Sequence, residues 1–176
     1  NNKEKRVENP QVAANKKAET ERLLKEAQER EKDLFVEKFM KYIDKAENTG
    51  SDGKYTKENP YTRVALGKGD IPIERGAVGK YQISEKDWEP EIAKFAKEKG
   101  YKYTGMDSFK NNPILQEEYM KHHVRNILLD KYYPQITNDF GDAGMTKEQL
   151  LAGVHYAGYG NMSDVLYNKA FNSKIH

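Results

Sequence analysis

The stretch Tyr42-Ile43-Asp44-Lys45-Ala46-Glu47-Asn48-Thr49-Gly50-Ser51-Asp52-Gly53 sets a carboxylate where an amphipathic pattern runs into a Gly/Ser/Asp loop. Phe35, Phe39, Ile43 and Ala46 recur at helical spacing, which predicts a core-facing helix over about 34–47. At about 100° per residue, Glu47 falls on the edge of that stripe, while Asp44 falls about 180° from Phe35, toward solvent. A carboxylate in the last turn meets the negative end of the helix dipole, and partial burial also disfavours its charged form. A Glu held in its acid form is a general acid, above all toward a glycosidic oxygen. The structural alternative is a boundary Glu that is solvated or paired with a Lys.

Other chemistry-bearing residues are less ordered. A glycosidase of the usual hydrolytic kind needs two carboxylates flanking the bond, and the loop offers Asp52, Glu58, Asp70 and Glu74. None sits in a recognisable motif. Each reads as a solvated or turn residue, and Asp52-Gly53 is a turn pair. His122-His123 invites a metal reading, but adjacent helical histidines point about 100° apart, so both read as structural or surface residues. No metal or other cofactor is expected. "GKGDIPIERGAVGK" is glycine-rich but lacks phosphate-loop spacing with a following Ser or Thr.

The elements that must position Glu47 follow from composition and capping signals. Residues 1–32 are rich in Ala, Glu, Lys, Arg and Gln, strong helix formers. Opposite charges sit at helical spacing, as in Glu21 and Lys25, and the apolar stripe of Leu23, Leu24 and Ala27 is thin. This predicts a charged helical tether or linker over 1–32, with a partner-dependent coiled coil as the alternative, and a catalytic domain over 33–176. Residues 48–83 are loop-rich, with six glycines and two prolines, and have room for a small irregular hairpin. Ser84-x-x-Asp87 caps a helix to about Lys99, and Asn112-Pro113 starts another to about Lys131. Thr146-x-x-Gln149 is a capping box for "KEQLLAGVHYA", and Ser163 opens a last short helix. The fold class is therefore mainly α, with one irregular insertion after the first core helix.

Four segments, in order, carry a resemblance: the Glu in "KAENTG"; Tyr61 with "VALGKG"; Gly79-Lys80-Tyr81-Gln82, with Gln116 opening the helix of "NNPILQEEY"; and Ala157-Gly158-Tyr159-Gly160. Over about 34–170 the chain resembles the lysozyme-like superfamily, in particular lambda-phage-type endolysins, which are peptidoglycan lytic transglycosylases, and more distantly the soluble bacterial lytic transglycosylases. The resemblance implies an α+β lysozyme-like fold with Glu47 as the catalytic acid. Its substrate would be alternating N-acetylglucosamine and N-acetylmuramic acid, whose sugar faces stack on aromatic rings. Tyr61, Tyr81, Tyr156 and Tyr159 are the candidate groove residues, and Gln82 is the candidate to hold an acetamido group or the Glu47 side chain. Where many bacterial members carry Tyr-Asn, this chain has His155-Tyr156, so the aromatic role there falls to one of these two. A single Glu without a second acid favours transglycosylation, which closes a 1,6-anhydro ring without water, over hydrolysis by a muramidase.

The 176 residues carry 30 basic and 28 acidic side chains, a near balance that demands no nucleic-acid partner. Cysteine is absent, which excludes disulfides and thiolate metal sites. No apolar run approaches the ~20 residues of a membrane span. A mean hydropathy of −1.00 fits polar residues concentrated in one part of the chain. The chain begins at Asn1 and reads as a processed product or one segment of a longer polypeptide. With the charged N-terminal helix, this suggests a virion- or tail-associated enzyme acting on the cell wall, held to other virion proteins through residues 1–32. A free endolysin, a bacterial periplasmic wall enzyme and an inactive lysozyme-fold wall-binding module are the alternatives.

Overall fold

The computed structural model describes residues 7–56 and 58–175, with side chains as far as Lys169. Residues 1–6 of the expected tether lie outside the described residues. The structure is 71% helix and 6% strand, so the mainly α expectation holds. The chain divides into two compact units, Asn1–Phe35 and Val36–His176.

One helix, α1 (Pro10–Asn48), replaces the two expected. Nothing between residues 32 and 34 breaks it: there is no Gly or Pro, and the charged segment and the apolar one both favour helix. Asn9 starts it by accepting from Gln11 N at 2.8 Å, with Pro10 at the first position. In the first unit the helix surface is nearly all exposed and carries its own ion pairs, Arg22 with Glu26 at 2.8 Å and Lys16 with Glu8 at 2.5 Å. Such exposed pairs contribute a few tenths of a kcal/mol each.

In the second unit the buried face of α1 is Val36, Phe39, Met40 and Ile43, spaced i, i+3, i+4 and i+7. Ala46 is exposed and does not belong to it, and Phe35 is only partly buried. The stripe thus turns slightly from the expected line, and Glu47, four residues beyond Ile43, continues it. Asp44 is half-buried rather than turned to solvent.

The segment after α1 forms short irregular hairpins. A bridge joins Thr49 to Tyr55, closing a turn in which Asp52 accepts from Lys54 N at 3.0 Å. Bridges at Val64–Val78 and Leu66–Pro72 join a second hairpin to β1 (Ala77–Val78), which pairs antiparallel with β2 (Ile83–Ser84), Val78 opposite Ile83. The hairpin insertion predicted by the Gly/Pro content is therefore present.

The helices that follow begin where their caps predict. Ser84 accepts from Asp87 N and opens α2 (Glu85–Glu98), which buries Trp88, Ile92, Phe95 and Ala96. After α3 (Met106–Lys110), Asn112 accepts from Leu115 N and opens α4 (Pro113–His122). The helix expected to end near Lys131 instead continues through a wider-wound π segment, His123–Tyr132, into α5 (Tyr133–Phe140). Pro134, which has no N–H to give, sits in the first turn of α5, the position where proline costs least. Thr146 and Gln149 cap α6 (Lys147–Ile175) reciprocally, at 2.9 and 3.2 Å. A kink at Gly158 (φ 78°, ψ 159°) divides α6, so its second half starts there and not at Ser163. The kink lays Met162 against Gly153, where a Cβ would collide with the Met162 sulfur. Around these elements Phe39, Ile43, Ile92, Phe109, Leu115, Leu128, Ile136, Leu151 and Leu166 are at most 1% exposed and form the core. Each such side chain contributes about 1.5–3 kcal/mol relative to exposure.

Candidate functional site

Glu47 lies in the last turn of α1, half-buried, on the core edge of the helix. Tyr156 from α6 lies near enough for the Glu47 carboxylate to act on its phenol. Burial, then Glu47 itself, push the Tyr156 phenol well above its ordinary range, so it stays protonated. Tyr156 is 42% exposed and so remains open to solvent and ligand.

The backbone around Glu47 is tied down on three sides. The Arg63 guanidinium donates to the Glu47 carbonyl and, at 2.7 Å, to Asn48 Oδ1. A cation on the last carbonyls of a helix also complements its dipole. Asn48 is 2% exposed, and its Nδ2 donates to Asp44 Oδ1 at 2.7 Å and to the Lys80 carbonyl at 2.9 Å. The end of α1 is thereby pinned to the Gly79-Lys80 turn. Next to it, Thr49 Oγ1 is buried without a hydrogen-bond partner among the described residues.

The turn carrying Lys80 is itself locked onto α4. Gln116 is 1% exposed; its Oε1 accepts from Lys80 N at 3.1 Å and its Nε2 donates to the carbonyls of Tyr61 and Phe109, both at 2.9 Å. Gly79 has φ 84°, and a Cβ there would run into the Gln116 amide, so both backbone angle and space demand glycine. Glu117, the next residue, collects three donors: Tyr61 Oη at 3.0 Å, Lys80 Nζ at 2.8 Å and Tyr81 Oη at 2.7 Å. Burial raises the Glu117 carboxyl, but the bonds from Lys80, Tyr81 and Tyr61 outweigh it and hold it below the usual range. The Lys80 ammonium lies 5.5 Å from the Tyr61 ring centroid and 5.3 Å from that of Tyr81. Sequence reasoning singled out Tyr61 and Tyr81 but missed Glu117 and Lys80 as their partners. The only local signal was that Glu117 follows Gln116 in "ILQEEY".

A chain of buried groups lies behind this cluster. His155 Nε2 contacts the Tyr81 carbonyl at 2.8 Å, His155 Nδ1 contacts His123 Nε2 at 3.1 Å, and His123 Nδ1 contacts Tyr119 Oη at 3.3 Å. A carbonyl can only accept, so His155 carries its proton on Nε2. Its Nδ1 must then accept, His123 must donate through Nε2, and Tyr119 must donate to His123 Nδ1. One end of the chain thus fixes every tautomer. Both rings are fully buried; burial pushes His155 down to about 4 and His123 well below its ordinary value. Trp88 Nε1 donates to the His155 carbonyl at 3.1 Å.

The structure therefore separates the residues expected to form one groove. Glu47 and Tyr156 meet, and Tyr61 and Tyr81 meet on Glu117. Tyr81 is 4% exposed, with little surface for a ligand, and Gln82 is buried at φ 48°, with Nε2 donating to the Gly79 carbonyl at 3.0 Å. His155 has no exposed surface and both ring nitrogens are occupied, so it cannot touch a substrate; it holds the Tyr81 carbonyl. Tyr159 stacks on Tyr132, with centroids 4.8 Å apart and planes at 15°, in a separate cavity. Asp52, Glu58, Asp70 and Glu74 are all exposed. His122 packs its ring against Phe95 at 4.8 Å. Among the described residues no group of three or more His, Cys, Asp or Glu is placed to hold a metal, and no helix is long and apolar enough to cross a membrane. No protein-family model, curated protein or solved structure matches the chain.

Proposed function

We propose that the chain is a peptidoglycan-degrading glycosidase, a lytic transglycosylase that cleaves the bond between N-acetylmuramic acid and N-acetylglucosamine with Glu47 as its single acid/base. The observation that carries this reading is the half-buried Glu47 at the end of α1, facing a phenol that stays protonated. In the first step Glu47 gives its proton to the glycosidic oxygen as the C1–O bond breaks, leaving an oxocarbenium-like centre. The Tyr156 hydroxyl then steadies the Glu47 carboxylate. In the second step the muramyl 6-hydroxyl oxygen attacks C1 and its proton passes to Glu47. The acid is restored and a 1,6-anhydro ring closes. No second carboxylate enters, which agrees with the exposure of Asp52, Glu58, Asp70 and Glu74.

Arg63, Asn48 and Lys80 support the reading by fixing the end of the helix that carries the acid, since misplacing a catalytic group by about 1 Å costs on the order of 10²-fold in rate. The charged, exposed part of α1 fits a tether that holds the enzyme in a larger assembly such as a virion or phage tail.

The test is mass spectrometry of products from purified peptidoglycan treated with the wild type and with Glu47→Gln. Anhydromuropeptides made by the wild type alone are expected. Reducing-end products would mean hydrolysis and a second carboxylate, and no products from either protein would leave a wall-binding module.

A further inference from the structure

A cavity of about 540 Å³ opens at the kink of α6, and neither Glu47 nor Tyr156 lines it. Its walls include Trp88 from the first turns of α2, Tyr132 from the π segment, and Tyr159 just past Gly158. Tyr132 and Tyr159 form the stacked pair, both half-buried at the opening, and Trp88, only 4% exposed, backs the cavity with its ring centroid 6.2 Å from that of Tyr132. The polar lining is rich in acceptors. Asp87 and Asp164 contribute carboxylates, and Asn161 spends its Nδ2 on the Ala157 carbonyl at 2.9 Å, which leaves its Oδ1. No Lys or Arg is among the described lining residues.

Such a lining asks for a ligand with an apolar face and many donors. Two ligand classes meet that demand: a sugar, with a C–H face and several hydroxyl hydrogens, and an organic ammonium. The volume decides between them. A cavity of this size lies in the range that holds whole drug-sized ligands, far more room than an ammonium head group fills. The two carboxylates also disfavour an acidic sugar through like-charge repulsion.

We propose that the cavity bounded by Trp88, Tyr132, Tyr159, Asp87, Asn161 and Asp164 is a binding subsite for an uncharged saccharide unit, separate from the Glu47 site. It deepens the reading of the chain as a glycan-cleaving enzyme, giving it a second hold on a polymeric strand. The subsite itself is a matter of binding and does not depend on turnover.

Trp88 is the only tryptophan in the chain, so its fluorescence reports on this cavity. The experiment titrates the Glu47→Gln protein with an N-acetylglucosamine trisaccharide while exciting Trp88 selectively, and repeats it with Asp164→Asn and with Tyr159→Ala. A saturable change with a millimolar midpoint is expected, weakened about tenfold or more in each variant, equivalent to about 1.4 kcal/mol. Asp164 is exposed, so Asp164→Asn keeps the test valid should Tyr159→Ala fold poorly. An absent response, a response unchanged in Asp164→Asn, or an equal response to Nα-acetyl-lysine amide overturns the proposal. Wild-type products from peptidoglycan without a Trp88 response sink the subsite and leave the enzyme reading. A Trp88 response without products does the reverse.

Discussion

Acidification should destabilise this protein through its buried histidine pair before its carboxylates titrate. His155 is neutral in the fold, with its protonation pushed down to about 4, whereas in the unfolded chain it returns to about 6.5. Between these values the unfolded chain binds a proton that the native state refuses, so stability rises with pH in that window. The contribution is complete above about pH 6.5 and is lost as the pH falls toward about 4. At about 1.4 kcal/mol per unit, the gap for His155 alone is about 3 kcal/mol, a large share of the 5–15 kcal/mol typical of a domain. His123 shifts the same way, but it shares one hydrogen bond with His155, so the two do not simply add. Protonating the pair would force His123 to change tautomer and Tyr119 to turn from donor to acceptor. Glu117 acts in a lower window: its depressed carboxyl contributes above its ordinary value of 4.5 and is lost only as the pH falls below that. Urea unfolding at intervals from about pH 7 to about pH 4, with NMR of the histidine ring protons, reads both quantities. A flat stability across that range, or a His155 ring that titrates near 6.5 in the folded protein, would refute the reasoning.

Gly79→Ala should cost about 2–4 kcal/mol in urea unfolding, because it combines a left-handed backbone angle with a Cβ that displaces the buried Gln116 amide; a cost under about 0.5 kcal/mol would contradict the close approach. Thr49→Val should be neutral or stabilise by up to about 1 kcal/mol, since it replaces an unpartnered buried hydroxyl with a methyl of the same shape; clear destabilisation by calorimetry would show that the hydroxyl has a partner. Tyr156→Phe should lower kcat on peptidoglycan about 10- to 100-fold with KM little changed, the effect of deleting one donor to an ionised group; wild-type kcat would remove Tyr156 from the proposed mechanism.

The local grammar of this chain was written in its sequence. Ser84, Asn112 with Pro113, and Thr146 with Gln149 announce their helices because each cap is a hydrogen bond to a residue three positions away, complete without the rest of the molecule. The turn at Asp52 and the hairpin-rich insertion were legible for the same reason. Glu47 was legible as a half-buried acid because helical periodicity places it, although the stripe it continues runs through Val36 and Met40 and not through Ala46. The continuity of α1 is not legible in the sequence because the change in composition near residue 33 mimics a boundary, although no Gly or Pro interrupts the helix there.

The tertiary structure alone decided which side chains meet. Glu47 finds Tyr156, Lys80 finds Glu117, and His123 finds His155 across separations that no local rule spans. His155 stood in the sequence as a residue for substrate, yet its position in α6 turns it into the core, where a hydrogen bond to the Tyr81 carbonyl fixes its proton. Tyr159 lies only three residues beyond Tyr156, but the kink at Gly158 sends it to a different cavity. These pairings depend on the angles between packed elements, which the core sets through the summed burial of many apolar side chains. The identity of any one polar residue carries almost no information about that sum.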